Sequence, residues 1–203
     1  MEEWHKPAII MAYRDASGYR HVDSPWVTSY LSTDGLVQKH LPEVLDKLID
    51  KAIEADKLQQ WGLLSGDRSD IRVRVVELHR VQRGGALADP THSDLGSLVT
   101  VDVMCSDSTE FEGGQFSTLE ASGQLATHEF AKGDAMVFPS HKYHCVRPVT
   151  GGTRRVMVME LWRGETRKCA HRCLYHLGPC SFSVAQSRLE MMINVPLPTI
   201  DPW

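Results

Sequence analysis

Long apolar runs are missing from this 203-residue chain. No window approaches the uninterrupted apolar length of a membrane span, and the opening Met-Glu-Glu-Trp-His-Lys carries no apolar segment of signal-peptide length. Both absences lead us to expect a soluble, cytoplasmic protein with no membrane partner. Charge of one sign is scarce too. The net charge is -4 and no basic run exceeds the Arg154-Arg155 pair, which argues against duplex nucleic acid as a partner. Cysteine is sparse and odd in number: Cys105, Cys145, Cys169, Cys173 and Cys180 make no secreted disulfide framework, so a reducing compartment is expected. Linker-like composition is also lacking. We therefore read residues 1–203 as one domain, with helical support over 1–66, a β core over 67–166 and an extension over 167–203.

What is present starts with a helix. Beyond Pro42, the residues Val44, Leu45, Leu48, Ile49, Ala52 and Ile53 recur at spacings of three and four, with Asp46, Lys47, Asp50, Lys51 and Glu54 between them. Pro42 suits the first turn, and Gly62 or Gly66 is expected to end the segment. The stripe predicts a helix bracing one face of a sheet. From Ile71 the period becomes two. Short strands are expected over 71–79, 98–105, 115–119, 124–130, 135–138, 143–149 and 155–162, separated by Arg83-Gly-Gly, Glu112-Gly-Gly, Ser122-Gly, Lys132-Gly-Asp and Thr150-Gly-Gly-Thr. The fold class is mainly β with a supporting α-helix, as a sandwich or barrel of the jelly-roll kind. Glu112-Gly-Gly has no strand-to-helix context and no following lysine, so it reads as a turn passing close to the barrel, not as a phosphate loop.

The stretch from His92 to Arg154 holds the chemistry. In an extended strand, residues two apart project to one side, so His92 and Asp94 converge while Ser93 points away. A second imidazole from a distant strand completes two histidines and a carboxylate on one face of a metal. That set leaves coordination positions open and suits Fe(II) that must take oxygen and an organic co-substrate together. From the residues alone, both His141 and His144 are open as the third ligand, and Arg154 and Arg155 both compete for the anion-binding role, since neighbours on a strand face opposite sides.

Several ordered motifs then match one family. His92-x-Asp94, Thr100-Val-Asp-Val, Phe111-Glu-Gly-Gly-Gln-Phe, Lys132-Gly-Asp-Ala-Met-Val-Phe-Pro-Ser, His144-x-Val-x-Pro-Val-x-x-Gly-x-Arg154 and Glu160-Leu-Trp resemble the prolyl 4-hydroxylase-type branch of the Fe(II)/2-oxoglutarate dioxygenases over residues 71–162. The resemblance implies a double-stranded β-helix, a cupin-like barrel with iron at its mouth. It implies His92, Asp94 and His144 as iron ligands and Arg154 as the partner of the distal 2-oxoglutarate carboxylate. It also places Thr100 on the strand that lines the co-substrate pocket. His144 is selected over His141 because Val146, Pro148, Val149, Gly152 and Arg154 then fall into register.

Where the family commonly carries pocket tyrosines, this chain has His79 and Met104; His79 is either a contact to the co-substrate or a satisfied structural histidine. The implied cofactors are Fe(II), 2-oxoglutarate and O2, with ascorbate as an accessory reductant, and the implied partner is a small-molecule or peptidyl substrate. Hydroxylation of a C–H bond is the expected outcome, with desaturation or ring closure as variants. A non-catalytic metal-binding barrel and a cupin-type isomerase or hydrolase are the rival classes. Past Trp162 the resemblance fades. Cys169-Ala-His-Arg-Cys173, His176 and Cys180 read mainly as ordinary thiols with a smaller claim to zinc, while Arg74 and Arg80 are expected on a solvated strand face.

Overall fold

The computed structural model describes residues 13–15, 18–20, 25–176 and 178–180. The sequence also offers a short strand over 8–13, of which residues 8–12 lie outside them, as does the proline-rich end over 195–203. A two-stranded antiparallel pair, β1 (Tyr13–Asp15) and β2 (Gly18–Arg20), comes first. Then follow β3 (Trp26–Tyr30), the short helix α1 (Leu36–His40) and the long helix α2 (Pro42–Gln59).

Helix α2 forms because its apolar stripe has a sheet to cover. Leu45, Ile49 and Ala52 are buried against Val73, Val76, Val99, Val101, Met159 and Leu161. Burying Leu45 and Ile49 contributes roughly 1.5–3 kcal/mol each. Pro42 occupies the first turn as expected. The stop comes earlier than the glycines: Gln60 takes the left-handed conformation at φ 56°, and the buried Asp56 carboxylate accepts the amides of Leu63 and Leu64 at 2.8 and 3.1 Å. A side chain inside the helix thus turns the chain before Gly62 is reached.

The strands are β4 (Arg72–Gln82), β5 (Leu87–His92), β6 (Val99–Met104), β7 (Phe111–Gly113), β8 (Phe116–Leu119), β9 (Leu125–His128), β10 (Ala135–Pro139), β11 (His144–Val146) and β12 (Val149–Trp162). They form a large antiparallel sheet in the order β10-β6-β12-β4-β3, with β7 also paired to β12, and a small one in the order β5-β11-β8-β9. This is the double-stranded β-helix. One side of the large sheet receives α2 and the other faces the small sheet, where Phe116, Phe138 and Val146 pack with Trp26 and Leu87. The glycine turn behaves as expected: at Gly113 a Cβ would come within 2.4 Å of the Pro148 carbonyl, and at Gly114 within 2.9 Å of Arg154 Cδ.

Candidate metal centre and its pocket

The small sheet brings the two histidines together. His92 ends β5 and His144 begins β11, and the antiparallel register sets them directly opposite each other, with ring centroids 4.9 Å apart. Asp94 follows the end of β5, its amide held by the Ser140 carbonyl at 2.8 Å. One donor atom from each of His92, Asp94 and His144 lies within 4.8 Å of the others. His92 Nε2 is 3.4 Å from Asp94 Oδ1, and His144 Nε2 is 3.9 Å from Oδ2.

The surroundings prepare these groups to act as ligands. His144 Nδ1 donates to the Lys142 carbonyl at 3.0 Å, which leaves Nε2 with its lone pair toward Asp94. Burial pushes the His144 pKa down, against the opposing pull of Asp94, so the imidazole stays in the neutral, metal-binding form. Burial alone would raise the Asp94 pKa. The hydrogen bond from His92 and the charge of Arg172 outweigh it and hold the carboxyl well below the usual range. His141 is exposed and outside the cluster.

A cavity of about 250 Å³ opens from this cluster, lined by residues of both sheets. Arg154 lies in its wall, 2 % exposed, with its Nε unpartnered among the described residues and its guanidinium over the Phe130 ring at 6.0 Å. Arg155 points the other way and pairs with Glu110 at 2.8 Å. Asp102 shares the pocket. Burial pushes its carboxyl up to about 7, with the Asp94 charge adding and the Arg154 charge opposing. Burial pulls the Arg154 pKa down, and the nearby Asp102 opposes that shift.

Other expected residues fall differently. Thr100 does not line the cavity: it is fully buried, and its hydroxyl donates to Asp94 Oδ2 at 2.8 Å and meets Ser140 Oγ at 2.9 Å. Because Asp94 leaves the strand, its carboxylate reaches back over β6, and Thr100 is the inward-facing group beneath it. His79 does line the cavity, with Nε2 hydrogen-bonded to Glu77 at 2.6 Å and its ring 5.3 Å from that of Trp26. Met104 packs with Val156 and Val158 outside the cavity wall, and Tyr30 on β3 supplies a tyrosine the sequence did not point to. Arg80 is exposed as expected. Arg74 is not: it is 1 % exposed and pairs with Glu160 at 2.9 Å, because the register shift of β4 against β12 near Glu160 turns it inward.

The largest surprise is Arg172. It enters from the irregular segment after β12; its guanidinium donates to Asp94 Oδ1 at 2.9 Å and Glu77 Oε1 at 2.7 Å and forms an ion pair with Glu160 Oε1 at 3.1 Å. Three carboxylates therefore share one cation beside the cluster. Burial opposes the charge, but Glu160 and Glu77 together raise the Arg172 pKa and keep it protonated.

Comparison with known proteins adds to this geometry. No protein-family model matches the chain. It is 32% identical over 107 residues to a PKHD-type hydroxylase of Idiomarina loihiensis, covering 51% of this chain and 49% of that protein. It is 26% identical over 147 residues to a PKHD-type hydroxylase of Delftia acidovorans, covering 64% and 65%. The chain thus spans about half to two thirds of the length of these relatives. A prolyl hydroxylase from Trichoplax adhaerens, solved with a peptide fragment, aligns at TM-score 0.49 and 14% identity over 77% of this chain and 71% of that one, too loose a likeness to bear on function. The chain is thus similar to two PKHD-type hydroxylases, and it carries a histidine–aspartate–histidine cluster that could hold a metal ion.

Proposed function

We propose that this protein is an Fe(II)- and 2-oxoglutarate-dependent oxygenase that hydroxylates a C–H bond of an amino acid, a peptidyl residue or a small metabolite. The observation that carries the reading is the placement of His92, Asp94 and His144 on the same cavity as the buried Arg154, whose Nε has no hydrogen-bond partner among the described residues. The donor set fits the ion: two imidazole nitrogens and one carboxylate oxygen would hold Fe(II) with fewer ligands than it takes, leaving room for a co-substrate. When bound, Fe(II) with 2-oxoglutarate supplies the oxygen activation that inserts an oxygen atom into the substrate, releasing succinate and CO2.

The chain's own residues do the rest. Lys142 fixes the His144 tautomer, and Thr100 and Arg172 hold the Asp94 carboxylate. Arg154 receives the distal carboxylate of the co-substrate in a bidentate fork. In our reading His79 is a secondary contact to the co-substrate, oriented by Glu77. Trp26, Thr28 and Tyr30 form the outer wall against which the substrate rests.

The test needs no substrate. Purified protein supplied with Fe(II), 2-oxoglutarate, ascorbate and O2 should release succinate slowly without substrate, and Asp94→Ala should not. Equal succinate release by the two proteins would refute the ligand assignment. Metal binding with no succinate release and no 2-oxoglutarate affinity would favour a non-catalytic barrel.

A further inference from the structure

The segment after β12 has no regular secondary structure over 163–176 and 178–180, yet it delivers Arg172 to a fixed place against three carboxylates. Irregular chain with few apolar side chains to bury needs a staple. Three of its buried side chains are thiols: Cys169, Cys173 and Cys180 are 4, 0 and 6 % exposed and pack on one another. His171 joins them, so that one donor atom from each of Cys169, His171, Cys173 and Cys180 lies within 4.8 Å of the rest.

We propose that these four residues form a structural Zn(II) site of the three-cysteine, one-histidine type. Two ligands of a tetrahedral zinc, one sulfur at about 2.3 Å and one nitrogen at about 2.05 Å, stand about 3.6 Å apart, and two sulfurs stand about 3.8 Å apart. The Cys180 Sγ to His171 Nε2 distance is 3.6 Å. Four ligands without an open position make the site structural, separate from the open cluster of His92, Asp94 and His144. The carrier backbone is already tied to the barrel, since Arg74 Nε donates to the Cys173 carbonyl at 2.7 Å and Ser32 donates to the Cys169 carbonyl at 3.3 Å.

Arg172 lies between the ligands His171 and Cys173. Zinc coordination on both sides therefore fixes its backbone and directs its guanidinium onto Asp94, Glu77 and Glu160. Arg172 is a positioning residue for Asp94, a statement that rests on the iron reading above; the zinc site itself does not.

Metal analysis of the full chain after dialysis against EDTA tests the site. About one Zn(II) per chain should remain and be lost in Cys180→Ser. Replacement by Co(II) should give the intense visible bands of a tetrahedral ion with thiolate-to-cobalt charge transfer, which the thiol-free His92, Asp94 and His144 cluster cannot produce. Zinc removal should expose the bond after Arg172 to trypsin, a readout independent of turnover. His144→Ala should keep the zinc and the cobalt spectrum, so loss of the iron reading leaves this result standing. A zinc-free wild-type chain with no cobalt–thiolate band, or an oxidised pair among the three thiols, would overturn the proposal.

Discussion

Replacing Arg154 by Met keeps most of the side-chain volume and removes only the charge and the donors. Two charge-assisted hydrogen bonds to one carboxylate are worth about 1.5–3 kcal/mol each. Part of this returns because the variant no longer keeps a cation in a buried wall where its Nε has no partner. A net loss of about 2–4 kcal/mol corresponds to roughly 30- to 1000-fold weaker 2-oxoglutarate binding. The fold should not suffer, since that guanidinium makes little of its own hydrogen bonding within the described protein. Anaerobic titration of the Fe(II) protein with 2-oxoglutarate, followed by the visible charge-transfer band of the chelate, measures the affinity, and thermal unfolding measures the stability. A shift below about threefold, under 1 kcal/mol, would refute the assignment of Arg154 to the co-substrate. Unfolding of Arg154→Met would show instead that the cation is structural.

Gly114→Ala should act on the same arginine indirectly. It adds strain at φ +65° and a Cβ 2.9 Å from Arg154 Cδ, so stability should fall by about 1–2 kcal/mol and 2-oxoglutarate affinity with it. Asp102, whose pKa rises to about 7 on folding, binds more protons in the native than in the unfolded state between about pH 4 and 7. Stability should therefore decline as pH rises through that window, by up to a few kcal/mol, and Asp102→Asn should flatten the decline in urea-unfolding measurements. His144→Ala should lose Fe(II) binding by calorimetry while His141→Ala keeps it, since only His144 lies beside Asp94.

The sequence was most informative where local pattern and tertiary role coincide. Leu45, Ile49 and Ala52 carry the helical period, and apolar residues mark the strands of the sheet they cover, so α2 and β4, β6 and β10 were legible. Strand β5 was not. Its residues are mostly half-exposed or exposed, and Asp89-Pro90 breaks any alternation, yet it supplies His92. Arg154 was separable from Arg155 only by family register, because both sit on one strand and burial alone distinguishes them. The hydrogen bond from Thr100 to Asp94 could not be read from the sequence, since the path of Asp94 depends on the loop after His92. Arg172 left no periodic signal in an irregular segment. The alternation of Cys169, His171 and Cys173 around it was the available clue, and a three-cysteine cluster completed by Cys180 becomes apparent only once the chain is folded.

Strand β5 has a further consequence through its position. Among the described residues it is the outermost strand of the small sheet, and His92 of the candidate metal cluster is its last residue. A free strand edge ordinarily offers a ladder of amides to any extended chain that drifts past. Here Pro90 leaves a gap in that row two residues from His92, and Asp89 places a charge beside it. An extended polypeptide is thereby discouraged from zipping onto the sheet at the mouth of the barrel, and entry falls to side-chain contacts with the wall formed by β3.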